Sequence, residues 1–76
     1  MGLNQRFLNV RDVVKVFAKA GWQMVRQRGS HMILVKDGHM ATLSVPDHRE
    51  VAKGTLRSLI RSSGLTIEEF SAITKK

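Results

Sequence analysis

Between Trp22 and Val45 three short runs rich in β-branched and other apolar residues follow one another: Trp22 to Gln27, Ser30 to Lys36 and Met40 to Val45, with Pro46 stopping the last. Only Arg28-Gly29 parts the first from the second, and only Asp37-Gly38 with His39 parts the second from the third. Connections this short leave no room for a crossover, so the runs must pair as a three-stranded antiparallel meander. Asp-Gly is the residue pair of a type I′ hairpin turn. A two-residue loop there sets Lys36 opposite His39, Ile33 opposite Thr42, Met32 opposite Leu43 and His31 opposite Ser44. One face of the sheet then holds Met32, Leu34, Ala41, Leu43 and Val45, and the other holds His31, Ile33, Val35, Met40, Thr42 and Ser44. The first set is the more uniformly apolar and is assigned to the core. His31 is left on the open face, where Ile33, Val35 and Met40 are expected to form an apolar patch.

Helical periodicity flanks the meander. Asn9 precedes Val10, Val13, Val14 and Phe17 at i, i+3, i+4, i+7 spacing, with Asp12 in the first turn and Gly21 just past the end. Leu56, Leu59 and Ile60 form a second stripe that stops at Gly64. Thr66-Ile67-Glu68-Glu69 is a capping-box start for a short third helix carrying Phe70 and Ile73. Residues 1–8 show no period and are expected to fray. The order is α-β-β-β-α-α, an α+β class with the sheet packed on one face by helices. All 76 residues make a single domain, with a core over about 9–64 and the extra C-terminal helix over 66–74. A domain of this size buries only about 60% of the surface its unfolded chain exposes, which disfavours a deep substrate cavity.

Charge narrows the partners. Thirteen Lys and Arg against six Asp and Glu leave a net charge of +7, the electrostatics of a polyanion binder, although an acidic protein or a membrane surface satisfies the same charge. The absence of cysteine removes disulfides and thiolate metal sites and is compatible with a reducing cytosol. No apolar run reaches the roughly 18 residues of a membrane span, no signal-peptide core follows Met1-Gly2-Leu3, and Arg6 stands where a myristoylation motif needs Ser or Thr. The expectation is a soluble cytoplasmic protein without a membrane partner.

Arg28-Gly29-Ser30-His31 concentrates the chemistry. Histidine exchanges a proton near neutral pH, and RNA carries its own nucleophile: the 2′-hydroxyl attacks the adjacent phosphate once a base removes its proton and cations steady the developing charge. Neither metal nor cofactor is required, and the three His with Asp37 and Asp47 match no metal-ligand spacing. His31 is the candidate catalytic residue, with Arg26 and Arg28 as local cations and Ser30 orienting the ring or the phosphate. His48, after Val45-Pro46-Asp47, is a possible second proton-transfer group, whereas His39 beside the hairpin turn reads as structural. Arg11, Lys15 and Lys19 recur every fourth residue on the first helix, and Lys53, Arg57 and Arg61 on the second. The second stripe is the stronger phosphate candidate, because Lys53-Gly54-Thr55 lies at a helix start. Lys53, Thr55 and Arg57 therefore join the candidate RNA contacts. Trp22, Phe7, Phe17 and Phe70 make no base-stacking platform, so binding is expected to be electrostatic and salt-sensitive. On these residues alone two readings stand: a metal-independent endoribonuclease, or a non-catalytic RNA-binding module in which the histidine is incidental.

Gly21-Trp22, Val25-Arg26-Gln27, Gly29-Ser30-His31, Val45-Pro46 with His48, Lys53-Gly54-Thr55-Leu56-Arg57 and Gly64-Leu65, taken in order, resemble the HicA family of small bacterial toxins, also called YcfA-like mRNA interferases. The likeness runs from about residue 10 to residue 70. It implies a fold like the double-stranded-RNA-binding domain and a toxin of a toxin-antitoxin system that cleaves mRNA. It also implies a catalytic role for His31 in the Gly-Ser-His motif and a HicB-type protein antitoxin that covers the site. One departure is visible: many members carry a second His directly after the first, where this chain has Met32.

Overall fold

The computed structural model describes residues 7–74. In chain order the elements are β1 (Phe7–Asn9), α1 (Val10–Lys19), β2 (Gln23–Arg28), β3 (His31–Val35), β4 (Leu43–Pro46), β5 (Glu50–Ala52), α2 (Lys53–Ser63) and α3 (Ile67–Thr74). β2, β3 and β4 form the expected antiparallel meander in that spatial order. β1 and β5 add a two-stranded antiparallel ribbon, Leu8 opposite Val51, that periodicity did not suggest. The expectation of a fraying start is thus corrected at residues 7 and 8, which pair with β5, while residues 1–6 lie outside the described residues. The physical reason is long-range: the strand is too short to show a period and exists because β5 is there to pair with it.

The helices start and stop where their end residues dictate. The Asn9 side chain accepts from the Arg11 amide at 2.8 Å, the N-cap bond of α1. At its other end Trp22 N–H donates to the Phe17 carbonyl and Gly21 N–H to the Ala18 carbonyl, the paired bonds of a Schellman motif, which turn the chain so that Trp22 enters the core. α2 has no side-chain cap and ends at Gly64. α3 opens on the expected capping box: Thr66 Oγ1 accepts from the Glu69 amide at 3.0 Å and Glu69 Oε1 accepts from the Thr66 amide at 2.8 Å.

α1 and α2 pack on one face of the meander, and α3 packs against both of them. Val13 and Phe17 of α1, Leu56 and Ile60 of α2 and Phe70 of α3 close over Leu34, Leu43 and Val45, with Trp22 and Val51 at the margins, and every one of these side chains is buried. Phe17 and Phe70 meet edge to face at 5.3 Å between ring centroids. The core face of the sheet is therefore the expected one, but its register is not. Leu34 pairs with Leu43, Ile33 with Ser44, Met32 with Val45 and His31 with Pro46, two residues out of step with the tight-turn expectation. His39 N–H donates to the Lys36 carbonyl at 3.0 Å and Gly38 has φ +77°, whereas no non-glycine residue, Asp37 included, has positive φ. A type I′ turn needs positive φ at both central residues, so this turn has the φ signs of type II, which does not match strand twist. Pairing resumes only beyond a wider loop. A two-residue shift keeps the parity, and so the faces survive the change of partners.

The loosened loop drops His39 onto Trp22, with ring centroids 4.9 Å apart, while His39 Nδ1 accepts from the Ala41 amide at 3.2 Å. The apolar open-face patch does not form as expected, because Ile33 is only 8% exposed and Met40, wholly exposed, lies in the loop.

Candidate functional site

The β2–β3 hairpin sets the first part of the site. Its turn is Gly29-Ser30, with Gly29 at φ +59° and Ser30 in the ordinary negative range, the φ signs of a type II′ turn. Gln23 and Met24 pair with Val35 and Leu34, after which the register slips, so that Arg26 faces Ile33, Gln27 faces Met32 and Arg28 faces His31. Val25 is the extra residue of a β-bulge. In an unbulged ladder continuing from Met24, Arg26 would fall opposite Met32 and point with it toward the core face. The bulge instead puts Arg26 and Arg28 on the face of Ile33 and His31. His31, Arg26, Arg28 and Ser30 are all exposed, so two guanidinium groups and one imidazole share a solvent-facing surface beside the turn.

A second segment is tied to this hairpin. Asp47 N–H donates to the Ser30 carbonyl at 2.7 Å, extending the β3–β4 ladder one step past its last pair. The Gln27 amide Nε2 donates to Asp47 Oδ2 at 2.6 Å and, more weakly, to the Gly29 carbonyl at 3.4 Å. His31 and His48 therefore each follow one end of the same backbone hydrogen bond. Opposed strand residues and two residues of chain from Pro46 keep their α-carbons within about 13 Å of each other. Val10 N–H donates to the Arg49 carbonyl at 3.0 Å and fixes the far end of the segment.

The candidates on α2 lie elsewhere. That helix packs on the core face of the sheet, opposite the face of His31. Arg57, with Arg61, lines a depression of about 360 Å³ against α3, floored by Ile60, Leu65 and Ile67. Thr55 lines another of about 270 Å³ together with Ser44 and Ser58. Lys53 is half-buried at the start of α2. Thus Arg26, Arg28, Ser30 and His31 gather in one hairpin, His48 is tethered to it through the Asp47–Ser30 backbone bond, and Lys53, Thr55 and Arg57 stand on another layer.

Sequence reasoning missed three participants. Gln27 and Asp47 were not singled out as partners, since nothing local shows residues twenty apart in a hydrogen bond. Arg49 belongs to no stripe or motif in the sequence, yet with Arg11 it lines a depression of about 440 Å³ over the 47–49 segment. The bulge at Val25 carries no glycine to announce it. Among the described residues, no three His, Cys, Asp or Glu side chains gather as a metal site requires.

Residues 10–65 match the model of a family described as HicA toxin of bacterial toxin-antitoxin. Among curated proteins none matches the chain. No helix of the described residues is long and apolar enough to cross a membrane.

Proposed function

The chain belongs to the HicA toxin family of bacterial toxin-antitoxin systems, and on that premise we propose that it is a metal-independent endoribonuclease that cleaves mRNA in the cytoplasm with His31 as its catalytic residue. Membership implies an antitoxin partner; we assign that partner to the HicB type and its docking surface to the exposed His31 face. The observation that carries the reading is the opposition of Arg28 and His31 across the hairpin, with Arg26 on the same face.

In this reading Arg26 and Arg28 hold the scissile phosphodiester, and Ser30 at the turn helps to orient it. His31 takes the proton of the 2′-hydroxyl as that oxygen attacks phosphorus. The bond from phosphorus to the 5′-oxygen breaks, leaving a 2′,3′-cyclic phosphate on one fragment. The leaving 5′-oxygen takes a proton to become the hydroxyl of the other fragment, and His48 is assigned to that transfer. Lys53, Thr55 and Arg57 hold backbone farther from the scissile bond, where affinity is electrostatic and indifferent to base identity. Nothing in the scheme calls for a metal or other cofactor.

The test is product chemistry. Incubated with purified protein and excess chelator, RNA is expected to yield fragments with 2′,3′-cyclic phosphate and 5′-hydroxyl ends, and RNA methylated at every 2′-oxygen is expected to stay intact. Cleavage of the methylated RNA, or activity abolished by chelator, contradicts the mechanism. RNA that is bound but never cut returns the protein to the binding-module reading.

A further inference from the structure

We infer that the depression between the start of α1 and the 47–49 segment is a second phosphate subsite, which takes an RNA phosphodiester neighbouring the scissile one. The inference rests on the reading of the protein as an RNA-binding toxin and extends it from His48, already given the leaving-group proton, to Arg11 and Arg49, which that reading leaves unassigned. The depression, about 440 Å³, is lined by Asn9, Val10, Arg11, Asp47, His48 and Arg49. Its charged and titratable lining is two arginines and a histidine against a single aspartate, and Asp47 Oδ2 already accepts from Gln27 Nε2 at 2.6 Å. The charge left to a ligand is therefore positive. The end of α1 is not what attracts it, because the Asn9 side chain already takes the Arg11 amide.

The walls are held in place before any ligand arrives. Val10 N–H to the Arg49 carbonyl joins the two sides, and Asp47 N–H to the Ser30 carbonyl joins the floor to the hairpin that carries His31. Arginine forks match the oxygen geometry of a phosphodiester, and a site pre-shaped by backbone bonds loses little order when it binds one. The same Asp47–Ser30 bond ties the segment that forms one wall of the depression to the hairpin that carries His31, so the two sites belong to one continuous stretch of hydrogen-bonded backbone.

The test uses full-length protein carrying His31→Ala, so that binding is read without cleavage, and a fluorescent single-stranded RNA titrated over a range of salt. With Arg11→Ala and Arg49→Ala added, affinity is expected to fall at least tenfold, and the slope of log affinity against log salt is expected to shrink by about 1.4, the value for two lost phosphate contacts on a single strand. Lys15→Ala with Lys19→Ala removes the same charge farther along α1 and is expected to cost clearly less. Equal losses from the two pairs reduce the depression to part of a general field and overturn the subsite. Tight binding of a hexaglutamate peptide that depends on Arg11 and Arg49, with RNA affinity unaltered, also overturns it by assigning the surface to an acidic protein. Protein that binds no RNA at all removes the parent reading, whereas RNA binding indifferent to Arg11 and Arg49 removes only the subsite. Unchanged circular dichroism and melting of the Arg variants exclude unfolding as the cause of a loss.

Discussion

Arg28 stands directly opposite His31 across the Gly29-Ser30 turn, and it does so because Val25 is bulged out of β2. Cross-strand partners share a face, so a guanidinium is fixed beside the imidazole on the exposed side of the sheet. Arg28→Ala is therefore expected to lower RNA cleavage by about 100-fold, the order seen when one donor to a developing anion is removed. The side chain is exposed, and stability is expected to change by no more than about 0.5 kcal/mol. Single-turnover cleavage together with thermal melting separates the two effects.

Gly29 is held at φ +59° with no heavy atom within 4 Å of where a Cβ would sit, so the need for glycine is conformational and not steric. Gly29→Ala is expected to cost about 1–2 kcal/mol in urea denaturation. Gly29→Asn is expected to cost less, since asparagine enters the left-handed region more readily. Equal losses from both would point to crowding, contrary to this geometry.

The Gln27–Asp47 hydrogen bond at 2.6 Å ties β2 to the segment carrying His48. A double-mutant cycle with Gln27→Ala and Asp47→Ala is expected to give a coupling of about 1 kcal/mol, since the pair is solvent-exposed. The backbone bond from Asp47 to Ser30 survives both changes, so the hairpin is expected to stay folded by circular dichroism.

Phe70 lies beyond the family match, which ends at residue 65, yet it is fully buried against Phe17. Phe70→Ala is expected to cost about 3–5 kcal/mol, enough to unfold much of a domain this small. Thr66→Ala, which removes only the α3 cap, is expected to cost about 1 kcal/mol. Chemical denaturation of the two variants tests whether α3 is part of the core.

Much of this was readable from the chain because local signals dominate those regions. Asn9, Gly21, Gly64 and the Thr66–Glu69 box mark helix ends by bonds made within a few residues. The core face of the sheet was legible from alternation, and a register error of two leaves alternation intact. What depended on the third dimension was not legible. Asp37 adopts the φ of a different turn from the one its Asp-Gly pair suggests, β1 exists only through β5, and the bulge at Val25 shows itself only in the pairing. Arg26, Arg28, Ser30 and His31 were found as neighbours in sequence, whereas the Arg11–Arg49 depression joins residues thirty-eight positions apart (49 minus 11).

His31 carries the central claim, and one variant tests it. His31→Ala, assayed beside the unaltered protein for cleavage of labelled RNA and for affinity toward the same RNA, is expected to lose cleavage by at least about 100-fold, the scale of a positioned acid or base. Affinity and melting temperature are expected to stay close to those of the parent, because the side chain is exposed. Cleavage that continues at the parent rate in His31→Ala would contradict the account.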